Sequence, residues 1–188
     1  MTGRVATLLV AALVFAPLSP ALAQSGYSVR TERRGEGLEV RAEARLEASA
    51  ELVWQVISDY ERLPAFVPGI RRSVVVLRSG NRLLLEQSGE ARFLFFTVPI
   101  EVRLEVIEQP PDRIVSRAVG GNLRRMSGRY EIRSGAPGGV QLHYVGAIEP
   151  DFDLPPIIGQ VALRASVEEQ FEAMVREIQR RAGAQPPR

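Results

Sequence analysis

The stretch PPIIGQVALRASVEEQFEAMVREIQRR, residues 155–181, decides how the rest of the chain is read. Leu163, Val167, Phe171, Met174 and Ile178 recur at intervals of four, four, three and four, and on an α-helix these positions stack into one stripe. Burying five such side chains is worth roughly 8–15 kcal/mol at about 1.5–3 kcal/mol each, far more than helix propensity supplies in water. The stripe therefore needs a partner surface. Asp153 is placed to cap this helix, Pro155 and Pro156 fall in its first turn, where missing N–H groups cost little, and residues 183–188 form a tail.

Upstream the pattern is strand after strand. Residues 74–77, 83–93, 98–107, 114–119, 126–132 and 140–148 are separated by Ser79-Gly80-Asn81, Pro110-Pro111-Asp112, Gly120-Gly121-Asn122 and the glycine-flanked stretch 135–139. Connections this short predict antiparallel neighbours. Met126, Tyr130 and Ile132 share one face of their strand, as do Val140, Leu142, Tyr144 and Ile148 of the next, and these faces should look toward the helix. Before them, residues 38–47 alternate Leu38, Val40, Ala42, Ala44, Leu46 against Glu39, Arg41, Glu43, Arg45, Glu47, which predicts a half-buried first strand. Ser49 then offers an N-cap to a short helix ending near Asp59 and Tyr60, and Pro64 and Pro68-Gly69 limit the next helical piece to a turn or two. Residues 24–37 are polar, carry Arg33 and Arg34, and read as a flexible lead-in or an edge segment. The order is strand, two helical pieces, six strands, long helix: an α+β domain over residues 38–182 whose sheet can curl around the helix and leave space for a small apolar molecule.

The first 23 residues stand apart. Arg4 supplies a positive charge, residues 5–15 are an apolar run too short to span a bilayer comfortably, Pro17 and Pro20 interrupt it, and Ala21-Leu22-Ala23 is a small-x-small cleavage pattern. A secretory signal peptide cleaved near Ala23 is expected, which would place the protein in the periplasm or outside the cell. The chain has no cysteine, so disulfides, thiol nucleophiles and thiolate metal sites are excluded. All 24 basic residues are arginine and face 22 acids, a near balance that gives no field for nucleic acid.

The words within this order resemble the START-like (SRPBCC) superfamily, in particular its polyketide cyclase/dehydrase and coenzyme Q-binding branch. The resemblance rests on Ala50-Glu51-Leu52-Val53-Trp54, on Ser58-Asp59-Tyr60-Glu61-Arg62-Leu63-Pro64 with Phe66-Val67-Pro68-Gly69-Ile70, and on Gly121-Asn122-Leu123-Arg124-Arg125-Met126 leading to Gly128-Arg129-Tyr130, and is completed by Leu154-Pro155-Pro156. It implies a helix-grip fold, a curved seven-stranded antiparallel sheet closed over a long C-terminal helix with an apolar tunnel between them. Members bind lipids, sterols, quinones or polyketides, and a minority do chemistry on them.

No convergent catalytic set emerges from the residues. His143 is the only histidine, so neither a histidine metal pair nor an imidazole relay exists, and strand alternation turns it away from Leu142 and Tyr144. Glu149, Asp151 and Asp153 are an acidic trio explained by capping and solvation, without the spacing of a calcium loop. No catalytic residue, metal or cofactor is expected. The expected lining of the tunnel is Trp54, Phe66, Met126, Tyr130, Tyr144, Leu163, Val167, Phe171 and Met174, with the two tyrosine hydroxyls as orienting points. Phe93, Leu94, Phe95 and Phe96 form an apolar connection that either packs beneath the small helix or touches membrane, and Arg71, Arg72, Arg124 and Arg125 stand beside turns where lipid phosphates could meet them. The leading expectation is an exported carrier or sensor of a lipid, isoprenoid quinone or polyketide-like molecule. The alternatives are a polyketide cyclase/dehydratase-type enzyme working by positioning and weak acid–base groups, and an envelope protein-interaction module without ligand.

Overall fold

The structure, a computed structural model, describes residues 26–92, 97–135, 139–151 and 158–184. Strands β1 (Tyr27–Arg34) and β2 (Gly37–Leu46) are followed by α1 (Ala50–Ile57) and a 3₁₀ helix (Tyr60–Ala65). Next come β3 (Ile70–Ser79), β4 (Arg82–Arg92), β5 (Thr97–Gln109), β6 (Arg113–Gly121), β7 (Leu123–Ser134), β8 (Val140–Pro150) and finally α2 (Ile158–Gly183). Among the described residues all strands form one antiparallel sheet of eight, ordered β1-β2-β8-β7-β6-β5-β4-β3. The helix-grip arrangement read from the sequence is present. No helix in the described residues is long and apolar enough to cross a membrane.

The sheet has one strand more than the seven expected. Residues 27–34, read as a lead-in or an edge segment, are an edge strand that pairs with β2 through a turn at Gly35, whose φ of 60° suits a residue without a side chain. Only Tyr27 and Val29 pack on the core, with the Tyr27 ring edge-on to Phe171 at 6.3 Å between centroids, and the rest of the strand is polar or charged. An edge strand needs little apolar content, and arginines along it discourage pairing with another sheet, so its sequence gave no period-two signal.

Capping and ion pairs set the helices. The Leu52 N–H donates to Ser49 Oγ at 3.2 Å, as an N-cap should, and the Ser58 hydroxyl closes the other end of α1 on the Trp54 carbonyl at 2.7 Å. Along α2, Arg164–Glu168 and Arg176–Glu172 are pairs one turn apart, both at 2.8 Å. Its stripe is buried as the spacing requires: Val167, Phe171, Met174 and Ile178 are all covered, and Leu163 partly so.

The burial is uneven along α2. Phe171, Met174, Val175 and Ile178 join the main core with α1, Leu63, Val67 and the inner faces of β2, β4, β5 and β8. Val167 belongs to a separate small cluster with Leu38 and Val40, edged by Val29, Tyr144, Ile148 and Leu163. A polar clamp also holds the C-terminal half. Glu177, almost fully buried, accepts from Arg180 Nε at 2.7 Å and Arg181 Nε at 2.7 Å, while Arg181 reaches Asp59 at 3.0 Å and lies 5.8 Å over the Phe66 ring.

Candidate ligand-binding site

A cavity of about 120 Å³ lies between the N-terminal half of α2 and the inner face of the sheet. Leu163, Ser166, Val167 and Gln170, spaced as one helical stripe, form its helix wall, and Ile100, Val102, Leu123, Met126 and Ile148 from β5, β7 and β8 form most of the sheet wall. Residues 87–91 of β4 and Gly69-Ile70 make the rim. The rim depends on a glycine pair. A Cβ on Gly89 would stand 1.8 Å from the Gly69 carbonyl oxygen, and Gly69 itself has a φ of 80°, so only glycines let the Pro68-Gly69 bend lie on β4, where the Glu90 N–H donates to the Gly69 carbonyl at 2.8 Å.

The rim is polar. Gln87 donates to the buried Ser73 hydroxyl at 3.1 Å, Gln170 donates to Ser166 at 3.4 Å, and the Glu90 carboxylate bridges Arg71 and Arg92. An apolar chamber with a few hydrogen-bonding groups at one edge has the character of a site for an amphiphile. Its volume lies below the roughly 300–1,000 Å³ of pockets that enclose drug-sized ligands, so a lipid-sized guest requires the helix and the rim to stand further apart.

Of the expected lining, Met126, Leu163 and Val167 meet at this cavity. Phe171 and Met174 instead fill the main core at 3% and 6% exposure, and Trp54 and Phe66 pack on its margin, Phe66 beneath Arg181. Tyr130 and Tyr144 lie on the inner face with ring centroids 4.6 Å apart, beside the cavity and not in its wall. The Tyr144 ring rests over Gly146 and Gly128, which have no side chain to displace it. Burial pushes the Tyr144 phenol up to about 12 and raises that of Tyr130 further, with Tyr144 adding to the effect, so both hydroxyls keep their protons at neutral pH. The residues the sequence reading missed are the apolar Ile70, Ile100, Val102, Leu123 and Ile148 and the small or polar Gly69, Gln87, Ser88, Gly89, Glu90, Ala91, Ser166 and Gln170. The signal for those on β4 was the interruption of its pattern by Ser88-Gly89-Glu90-Ala91.

Other candidates resolve by geometry. His143 is on the outer face, its Nε2 3.2 Å from Gln141 and its Nδ1 3.6 Å from Glu43. Arg124 pairs with Glu36 at 2.6 Å, Glu149 at 3.3 Å and Asp151 at 3.4 Å, and Arg125 with Glu149 at 3.7 Å, so these arginines and two members of the acidic trio neutralise one another. Arg71 is held by Glu90, whereas Arg72 has no ion pair among the described residues. At the far end of β5, the buried Tyr60 hydroxyl faces Glu108, which Arg78 holds at 2.7 Å; burial, then that carboxylate, raise the Tyr60 phenol above its ordinary range. Asp153 and Phe93, Leu94, Phe95 and Phe96 lie outside the described residues.

Residues 46–175 match the family model for polyketide cyclase/dehydrase and lipid transport. The chain belongs to this family. No curated protein sequence matches it. Among solved structures it is similar to a STAR-related lipid transfer protein from Xanthomonas axonopodis, at 16% identity and a TM-score of 0.68 over 82% of this chain and 94% of that one. It is also similar to the aromatase/cyclase Zhui from a Streptomyces species, at 16% identity and a TM-score of 0.64 over 78% and 94% of the two chains. A START superfamily protein from Mycobacterium smegmatis matches at 18% identity and a TM-score of 0.60 over 78% and 97%. At these identities the likeness is one of fold: the START-like helix grip.

Proposed function

We propose that this family member binds an apolar small molecule with a polar end, of the lipid, isoprenoid quinone or polyketide-like kind, beneath the N-terminal half of α2, and carries or presents it without transforming it. The observation that supports this reading is the chamber beneath α2, apolar within and edged by Gln87, Ser166 and Gln170, at the part of the helix least covered by core. In this reading the protein is exported, with residues 1–23 removed, and its cargo moves within the envelope or outside the cell. Arg71 and Arg72, beside the Gly69-Ile70 rim, are cations at the mouth for contact with a membrane surface. Native mass spectrometry after mild purification tests the binding. A bound apolar species, or uptake of one from lipid extract, is expected; a bare protein mass with no uptake would count against it. The intact mass of the secreted form tests export, since the mature chain should start at Gln24.

A second reading, a cyclase or dehydratase, draws on the Tyr130–Tyr144 pair, two protonated hydroxyls on the inner face able to donate hydrogen bonds to a developing enolate. Turnover of a poly-β-keto model substrate that is lost in Tyr144→Phe, with the fold retained, would favour it over carriage.

A further inference from the structure

We propose that the outward face of the sheet, opposite the cavity, carries a second binding site: a cationic trough across β2, β8, β7 and β6 that takes an acidic polypeptide segment of a partner protein. The trough has a volume of about 430 Å³. Arg41, Arg113 and Arg129 stand along it, Val115 and Val145 are exposed at 36% and 41%, and the paired glycines Gly128 and Gly146 lie at its base.

Strand register makes this face unusual. Arg30 lies directly opposite Arg41, Arg41 opposite Val145, Val145 opposite Arg129, Arg129 opposite Val115, and the row continues through Ile107 to Arg82. It crosses the sheet without a carboxylate. Like charges set opposite each other on neighbouring strands are destabilising, so folding alone does not favour Arg30 beside Arg41. Elsewhere on the outer face arginines meet acids across the strands, as Arg103 meets Glu86 and Arg117 meets Glu105, both at 2.6 Å.

The trough has no such balance. Arg41 and Arg30 have no ion pair among the described residues. Arg113 and Arg129 share the single carboxylate of Glu131, at 3.4 and 3.2 Å, with Arg133, which takes it at 2.6 Å. Glu39, the acid that lines the trough, is already paired with Arg34 at 3.4 Å. Each guanidinium carries five N–H donors in a fork that fits a carboxylate, and most of these remain unspent.

Spacing and shape select the occupant. Neighbouring strands are about 4.8 Å apart, so Arg41 and Arg129 stand roughly 10 Å apart with Val145 between them. That pattern receives two carboxylates flanking an apolar side chain. A recess on the sheet admits protruding side chains, whereas a planar layer of headgroups would pass over it.

The test uses the full mature chain and a short labelled peptide alternating glutamate and valine, followed by fluorescence anisotropy at low and physiological salt. Binding that weakens with salt is expected, with loss of affinity of about tenfold or more in Arg41→Gln/Arg129→Gln, where two charge-assisted contacts are removed. Arg176→Gln, at an exposed position of α2 away from the trough, should bind as the parent does, and a peptide with glutamine in place of glutamate should not bind. Methyl chemical-shift changes at Val115 and Val145 in the parent chain locate the peptide without relying on the double variant. The proposal is overturned by equal binding to parent and double variant, by shifts that avoid these valines, by no peptide binding, or by an affinity shown only for vesicles of anionic phospholipid.

Discussion

Replacing Gly89 by alanine is the most direct probe of how the rim is built. The added Cβ would stand 1.8 Å from the Gly69 oxygen, 2.9 Å from its carbonyl carbon and 3.1 Å from Ile70 Cα. These are backbone atoms, so no rotamer change relieves the contact, and the Pro68-Gly69 bend must move by more than an ångström or so to reach an ordinary separation. Such a shift breaks the Glu90 N–H to Gly69 carbonyl bond, worth about 0.5–1.5 kcal/mol, and adds the strain of overpacking, about 1–3 kcal/mol. The sum, about 1.5–4.5 kcal/mol, corresponds to a fall in Tm of roughly 3–18 °C for a domain of this size. Thermal unfolding by circular dichroism measures it, with Gly183→Ala as control, since a Cβ there meets nothing within 4 Å and alanine favours the helix end. A Gly89→Ala protein melting within a degree or two of the parent would show that the bend does not rest on β4, and the account of the cavity rim would fail with it.

Three further outcomes are expected. The Glu177 carboxyl is held near 2, first by its hydrogen bond to Arg180 and then by Arg181, against the opposing effect of burial, so its folded pKa lies below its unfolded one. The stability it contributes is therefore complete above about pH 4.5 and is lost as pH falls toward 2; Glu177→Gln should cost about 1–2 kcal/mol at pH 7, less than the full shift implies because Arg180 is largely exposed, and should flatten this part of the Tm profile between pH 5 and 2. Ile178→Ala, at a fully buried site in the main core, should cost about 2–5 kcal/mol in denaturant unfolding, whereas Leu163→Ala at the cavity should cost about 1 kcal/mol; equal costs would contradict the uneven hold on α2. Val167→Phe should fill the chamber, abolish uptake of a fluorescent fatty acid or quinone and change stability by no more than about 1–2 kcal/mol; undiminished uptake would place the ligand elsewhere.

The hairpins and the terminal helix were legible because their signals are local. Ser79-Gly80-Asn81 and Pro110-Pro111-Asp112 mark turns wherever they occur, and the stripe from Leu163 to Ile178 repeats within one element. β1 was only partly legible because an edge strand with charges on both faces looks like a polar tail. The candidate site was hidden for a different reason. Large aromatics such as Phe171 fill space, so they mark core, whereas a hollow is made where side chains are missing, at Gly89 and Ala91, and depends on what lies across from them. Ion pairing was equally out of reach: Arg124 finds Glu36 from 88 positions away, and only the register of β2, β8 and β7 brings them together.

The two ends of the grip differ in how much must be undone to open them. At the C-terminal end of α2, opening would expose Phe171, Met174, Val175 and Ile178 and break the Glu177–Arg181–Asp59 link to the 3₁₀ helix. At the other end it would uncover little more than Leu163 and Val167, at about 1.5–3 kcal/mol each when fully exposed and less when a guest takes the place of the lost contacts. A guest that buries about 200 Å² of apolar surface gains roughly 5 kcal/mol at about 25 cal/mol per Å², which matches that cost. In the proposed function, entry under the N-terminal half would thus exchange one set of apolar contacts for another and leave the pinned half to keep the helix in register with the sheet.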